Sequence, residues 1–213
     1  MFESLQIADL WIVFCSIAVY QLILQYRSSG RLRYDEGTPK LLQVLTGMPA
    51  LLVLIIFLAD PDLPHAKPFT MTAGIDLAGL LIFNVAALLV LWSHITLGDC
   101  WSGDLETKSD HRLVDKGLYR FIRHPLYSSY MLLAVGLFLL SDNWWVGLST
   151  LVYFIAVAAR TWKEEAMMVE RLGDPYRDYQ GRTGRFVPRL PAVWSALSGA
   201  SRPLSTLPTD SRP

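Results

Sequence analysis

The most restrictive feature of this sequence is that its apolar residues are gathered into long blocks. Hydrophobic residues make up 52% of the 213 positions. Most of them lie in five segments, which cover residues 7–26, 41–59, 75–97, 126–140 and 144–159. The first three segments are long enough to cross the ~30 Å hydrocarbon layer of a bilayer as α-helices. The pattern therefore predicts an all-α integral membrane protein.

The last two apolar blocks are short, at about 15 residues each, and only Ser141-Asp142-Asn143 separates them. They form either a buried hairpin lengthened by flanking residues or a pair that does not quite cross the bilayer. We favour two tightly paired spans. The predicted fold is then a membrane bundle of about five transmembrane helices, followed by a cytoplasmic C-terminal helical segment.

Positive charges set the predicted orientation of this bundle. Lys and Arg total 19, and they concentrate in loops 27–40 and 98–125 and in the tail after residue 159. Only Lys67 falls in a segment assigned to the other side. Because cytoplasmic loops carry an excess of Lys and Arg, we expect the N-terminus outside and the C-terminus in the cytoplasm.

Composition and motifs exclude several classes of function. The formal net charge is zero, and the basic residues follow membrane faces with no nucleic-acid-binding module. The glycine-rich signatures of soluble nucleotide-binding folds are missing. The two cysteines, Cys15 and Cys100, form no cluster with histidines. We therefore expect a lipid bilayer as environment, with no nucleic acid and no metal.

The sequence predicts one domain followed by a polar tail. Residues 1–190 form the predicted domain, and residues 191–213, which are rich in Pro, Ser and Thr, are predicted to be disordered. A helix is expected to run on from the last span, to end near Gly173, and to restart briefly over 176–179.

Two polar clusters stand at the cytoplasmic ends of the last two spans, at 111–127 and 160–165. Pro125 suits the first position of a helix, where amides and the positive helix end can hold an anionic group. Arg160 and Glu164 share a helix face. Arginine offers a forked donor for a carboxylate or phosphate, and glutamate offers acceptors for hydroxyl or ammonium groups. The short turn between the spans predicts that the clusters lie side by side.

These clusters resemble the signature of the isoprenylcysteine carboxyl methyltransferase family, which is grouped with the phospholipid methyltransferases. The resemblance covers roughly residues 97–190. The residues at the signature positions are Leu113, Val114, Gly117, Tyr119, Arg123, His124, Pro125 and Tyr127, then Arg160, Glu164 and Glu165, then Leu172, Gly173, Tyr176 and Tyr179, and finally Arg185, Phe186 and Pro188. Two positions depart from the family: Ser129 stands where Gly is usual, and Leu172 where Phe is usual. A hydroxyl at 129 would narrow the pocket or tighten helix packing.

The resemblance implies a methyltransferase that uses S-adenosyl-L-methionine on the cytoplasmic side, in a site formed by 98–127 and 160–190. It implies that Arg160 binds the methyl acceptor, and that Arg160 and Glu164 are the catalytic residues. The residues that it implies for the cofactor, several of them through their backbone, are His111, Leu113, Val114, Tyr119, His124, Pro125, Leu126, Tyr127 and Glu164. The acceptor is expected to be lipophilic, and a carboxylate of the isoprenylcysteine type is favoured.

Alternatives remain open at this level. N-methylation of a phospholipid amine would need a base, for which Glu165 or His111 is available, and a small thiol is a further acceptor. A catalytically silent membrane scaffold is the non-enzyme alternative. Among single residues, Arg123 alone reads as an interfacial arginine and Glu165 as structural or solvated, while Asn84 and His94 read as interhelical hydrogen-bonding groups.

Overall fold

The computed structural model describes residues 2–27, 32–33, 38–60, 73–100, 106–107 and 113–189. Within these ranges the chain is almost entirely helical. Its α-helices are α1 (Phe2–Arg27), α2 (Thr38–Ala59), α3 (Ala73–Leu97), α4 (Pro125–Ser141), α5 (Trp144–Leu172) and α6 (Asp174–Arg182). Short 3₁₀ turns occupy Gly98–Cys100 and Gly117–Arg120, and strands β1 (Leu32–Arg33) and β2 (Glu106–Thr107) form one antiparallel pair. The all-α class is confirmed.

Each of the five apolar blocks lies on a helix, because a continuous apolar stretch in lipid must satisfy its own backbone hydrogen bonds. Among the described residues, two helices are long and apolar enough to cross a bilayer, Gly74–Leu97 and Trp144–Leu172. Three shorter apolar stretches cover Ala8–Ile23, Leu45–Ala59 and Pro125–Ser141. The count of five spans therefore stays a prediction.

A tight turn makes α4 and α5 antiparallel neighbours. Asp142 ends α4 in the left-handed region with φ of 50°, a conformation that aspartate tolerates better than most residues. Asn143 then caps α5, since its side-chain oxygen accepts from the amides of Trp145 (2.9 Å) and Val146 (3.4 Å). The hairpin predicted from the three-residue separation is present.

The core lies between α3 and α4, which approach each other closely. Phe83 and Val90 of α3 are buried beside Leu137 of α4. At Gly136 an added Cβ would lie 2.6 Å from the backbone nitrogen of Phe83, and at Gly79 it would lie 2.9 Å from Leu139 Cβ. Small residues permit this approach, as is usual where membrane helices pack. The packing fixes α4, whose first turn belongs to the site described below.

Polar groups inside the bundle bond both between and within helices. Asn84 Nδ2 on α3 donates to Asp9 Oδ2 on α1 at 3.0 Å, as expected for an interhelical bond. His94 Nδ1 instead hydrogen-bonds the Val90 carbonyl of its own helix at 2.9 Å, and its ring meets Tyr20 and Tyr130 edge-on.

The helix after the last apolar block continues to Leu172 and breaks at Gly173, whose φ of 64° favours glycine. The α6 helix follows at once and buries Tyr176 and Tyr179. The predicted break and restart are therefore observed. The tail 191–213 and His111 lie outside the described residues, and the single-domain division stays a prediction.

Candidate functional site

Three parts of the chain meet at the first turn of α4. The segment before α4, residues 121–124, pairs with residues 183–186 after α6, which we call the closing segment. Arg123 donates its amide to the Gly184 carbonyl (2.8 Å), and His124 donates to the Arg185 carbonyl (3.0 Å). Gly184 in turn donates to the Phe121 carbonyl (3.2 Å). The C-terminal stretch of α5 completes the site on the third side.

The closing segment changes which amides at the start of α4 are available. The amides of Arg123 and His124 are both taken by it, and Pro125 has no N–H. The first backbone bond of the helix runs from Ser128 to His124 (3.1 Å), and the His124 side chain does not cap this end. The amides of Leu126 and Tyr127 therefore stand in the turn where a helix supplies no internal acceptor. Of the amides expected to hold an anionic group at the start of α4, those of Leu126 and Tyr127 therefore remain as candidates.

Three predicted site residues converge on the carboxylate of a fourth, Glu164. The Tyr127 hydroxyl donates to Glu164 Oε1 at 2.5 Å. Arg160 Nε lies 3.5 Å from Glu164 Oε1, and His124 Nδ1 lies 3.5 Å from Glu164 Oε2. The Arg160 side chain is only 5% exposed and that of Glu164 is 19% exposed. The arrangement places a largely buried carboxylate among a phenol, an imidazole and a guanidinium, where α4 and α5 meet.

The neighbouring carboxylate, Glu165, points into a different set of partners and is buried. It accepts from Arg123 Nε (2.8 Å), Arg185 Nη2 (2.6 Å), Gln180 Nε2 (3.1 Å) and His124 Nε2 (3.2 Å). Arg123 also donates to the carbonyls of Gln180 and Thr183. The reading of Arg123 as an interfacial arginine was wrong, since it turns inward, and Glu165 is not solvated.

Aromatic rings enclose His124 and support the segment before it. The imidazole stacks on Tyr127 with centroids 5.6 Å apart and lies 5.9 Å from the Phe186 ring. Beneath, the Tyr179 hydroxyl donates to the Tyr119 carbonyl at 2.6 Å. Burial raises the pKa of the Tyr179 phenol well above its usual value, so this phenol remains a neutral donor at physiological pH. Tyr119 is itself buried.

The other residues predicted to bind the cofactor are close in sequence to those already described. Leu113 and Val114 are half-buried, and the next residue, Asp115, pairs with Arg182 of α6 at 2.7 Å. Pro125 is buried as the first residue of α4, and Leu126 is half-buried. The structure thus brings His124, Tyr127, Arg160 and Glu164 together, whereas Leu126 packs against the hydrophobic core and His111 is outside the described residues.

Sequence reasoning missed the partners that hold the closing segment. Arg185 and Gln180 contact Glu165, and Arg185 stacks on the Trp162 ring with 3.9 Å from its guanidinium carbon to the ring centroid. Ser128 donates to the Phe186 carbonyl at 2.6 Å. Arg185 and Phe186 were part of the family motif in the sequence, but no function had been assigned to them.

Ser129, the departure from the family pattern, is accommodated within its own helix. Its hydroxyl donates to the Pro125 carbonyl at 2.7 Å, and the side chain is buried. Because the hydroxyl is satisfied four residues back on α4, it presents no free polar group to the site.

Comparison with known proteins finds similarity to the same family over part of the chain. Residues 77–170 match the model described as "Isoprenylcysteine carboxyl methyltransferase (ICMT) family". A relative from Schizosaccharomyces pombe named "Protein-S-isoprenylcysteine O-methyltransferase" is 33% identical over 86 residues, which cover 38% of this chain and 35% of the relative. A relative of the same name from Tribolium castaneum is 32% identical over 84 residues, covering 39% and 30%. The chain thus spans about a third of the length of these relatives.

A solved structure shares the fold. It is titled "Structure of the eukaryotic intramembrane Ras methyltransferase ICMT (isoprenylcysteine carboxyl methyltransferase) without a monobody". The TM-score is 0.50 and the identity 24%, over 71% of this chain and 53% of that chain. The likeness shows the fold, and among the described residues the helices Gly74–Leu97 and Trp144–Leu172 are long and apolar enough to cross a membrane. Among the described residues, no group of three or more His, Cys, Asp or Glu is placed to hold a metal ion.

Proposed function

We propose that this chain, whose residues 77–170 match the isoprenylcysteine carboxyl methyltransferase family, is a membrane methyltransferase that uses S-adenosyl-L-methionine. The acceptor is a lipophilic carboxylate of the isoprenylcysteine type, and the product is its methyl ester. Two curated relatives are named for this reaction, although the chain spans only about a third of each.

The observation that carries the proposal is the convergence of His124, Tyr127 and Arg160 on Glu164. The chemistry of the donor fits these residues. Its carboxylate suits the amides of Leu126 and Tyr127 at the uncapped helix end, and its ammonium or hydroxyl groups suit the acceptors of Glu164. When bound, S-adenosyl-L-methionine supplies an electrophilic methyl group on a sulfonium.

The proposed cofactor contacts are those implied by the family resemblance: His111, Leu113, Val114, Tyr119, His124, Pro125, Leu126, Tyr127 and Glu164. The protein orients the methyl donor and the acceptor relative to each other, because holding two reactants in attack geometry removes much of the activation barrier. It also excludes water, since the rings of Tyr127 and Phe186 pack on the His124 imidazole.

Arg160 is the proposed acceptor residue. Its side chain is 5% exposed, and its guanidinium provides the forked donor that fits a carboxylate. A carboxylate acceptor is already ionised at neutral pH and needs no general base. N-methylation would need one, and Glu165, one of the two candidate bases, is already occupied by Arg123, Arg185 and Gln180, which supports a carboxylate acceptor.

We further propose that the bundle has five spans with the N-terminus outside and the C-terminus in the cytoplasm. The concentration of Lys and Arg in loops 27–40 and 98–125 supports this orientation. The site then faces the cytoplasm, where the donor is soluble, and the lipophilic acceptor enters sideways from the bilayer.

The test is to identify the labelled product in membranes with and without the protein, using a methyl-labelled donor and a prenylated cysteine acceptor. A methyl ester hydrolyses in alkali, so the label should be base-labile. Arg160→Ala should abolish the product while S-adenosylhomocysteine binding persists. Arg177→Ala, an arginine in an exposed pair with Asp174, is the matched control and should retain activity. A base-stable product, or equal loss of binding and turnover in Arg160→Ala, would contradict the assignment.

A further inference from the structure

The two adjacent glutamates of α5 both meet His124 but otherwise have different partners, and the partners of Glu165 come from three separate parts of the chain. Arg123 and His124 precede α4, Gln180 belongs to α6, and Arg185 belongs to the closing segment. The Glu165 side chain is 5% exposed. A buried carboxylate is stable only when such donors satisfy its lone pairs. Glu165 is therefore the point at which these three parts are joined.

The hydrogen bond from His124 to Glu165 determines which ring nitrogen carries the proton. An ionised carboxylate only accepts, so Nε2, at 3.2 Å from Glu165 Oε1, must be the donor. In the neutral imidazole the other nitrogen, Nδ1, is then an acceptor. Nδ1 lies 3.5 Å from Glu164 Oε2, which also accepts. Two acceptors at this spacing present a place for one ligand N–H or O–H group.

We propose that Glu165 is a positioning residue for the methyl transfer inferred above. It holds His124 as the Nε2–H tautomer, so that Nδ1 and Glu164 Oε2 together receive an ammonium or hydroxyl group of the methyl donor. The inference rests on the proposed function for the identity of that donor, but the tautomer itself does not depend on it.

The same carboxylate also fixes the closing segment beside the first turn of α4. Its pair with Arg185 anchors the closing segment, whose Arg185 carbonyl accepts the His124 amide and whose Phe186 ring lies against the imidazole. The backbone and the ring of His124 are thus both oriented through Glu165. A purely structural ion pair would stabilise the fold without selecting a tautomer, which separates the two roles experimentally.

The test is ¹⁵N NMR of the full-length protein in detergent with labelled histidine, above the usual histidine pKa of about 6.5. The chain has four histidines, and His124→Asn assigns the signal. The ligand-free protein should show His124 protonated at Nε2 only. Glu165→Gln should yield a mixture of tautomers and weaken S-adenosylhomocysteine binding at least about tenfold, the loss of one charged hydrogen bond. Glu170→Gln, an exposed glutamate of the same helix, should change neither.

Protonation of Nδ1 in the unmutated protein would overturn the proposal without any variant. So would Glu165→Gln with an unchanged tautomer, whatever its affinity. If Glu165→Gln fails to fold, Arg185→Gln should keep the Nε2–H tautomer while weakening ligand binding, and loss of the tautomer there would count against Glu165. Absence of S-adenosylhomocysteine binding by the unmutated protein would instead defeat the proposed function, and the tautomer measurement would still stand as a separate result.

Discussion

The contact between α3 and α4 gives a quantitative prediction for Gly136→Ala. The added Cβ would lie 2.6 Å from the backbone nitrogen and 2.7 Å from the Cα of Phe83. Ordinary contact begins near 3.4 Å, so the helices must separate by roughly 1 Å or distort. Overpacking of this kind costs about 1–3 kcal/mol, and alanine returns up to about 1 kcal/mol through its higher helix propensity. The net loss is then about 0–3 kcal/mol, or about 1–3 kcal/mol relative to a glycine-to-alanine change without this clash.

The measurement is unfolding of the purified variant in detergent, followed by tryptophan fluorescence, with S-adenosylhomocysteine affinity determined in parallel. Because α4 carries His124 and Tyr127 at its first turn, we expect weaker binding together with the lower stability. Gly181→Ala is the control, since its Cβ would meet nothing within 4 Å, and it should be neutral or slightly stabilising. If Gly136→Ala proved as stable as Gly181→Ala, the close approach of α3 and α4 would be refuted.

Three further predictions concern single side chains. Tyr127→Phe removes the hydroxyl that donates to Glu164 and should weaken S-adenosylhomocysteine binding about tenfold in a titration, with little effect on unfolding. Ser129→Ala removes a hydroxyl bonded only within α4, so activity should be unchanged and stability within about 0.5 kcal/mol; a large loss of activity would show that the hydroxyl reaches the site. Asn84→Leu leaves Asp9 without its partner on α3 and should lower unfolding stability by about 1–3 kcal/mol, and an unchanged value would contradict that pairing.

Much of the helical framework could be predicted because it depends on local signals. The apolar blocks became helices, and the three residues between the last two blocks were too few for anything but a tight turn. The break at Gly173 followed from Pro175 two residues later and from the freedom of glycine at positive φ. The number of spans could not be read in the same way, since helix length alone does not show how each helix meets the bilayer.

The less predictable parts depend on contacts between residues far apart in the sequence. The pairing of 121–124 with the closing segment joins residues about sixty positions apart, and no local pattern announces it. Glu164 and Glu165 are the same residue type, and the sequence does not distinguish them. On the helix their side chains point about 100° apart, so that most of their partners differ. Arg123 resembled an interfacial arginine because its acceptor, Glu165, is brought beside it only by the fold.

The central claim is that the first turn of α4 and the end of α5 form one binding site for a sulfonium methyl donor. Its most direct test is calorimetric titration of the purified full-length protein in detergent with S-adenosylhomocysteine. We predict saturable one-to-one binding that His124→Ala and Glu164→Ala each weaken at least about tenfold, since each loses charged hydrogen bonds. No binding by the unmutated protein, or undiminished binding by both variants, would contradict the account.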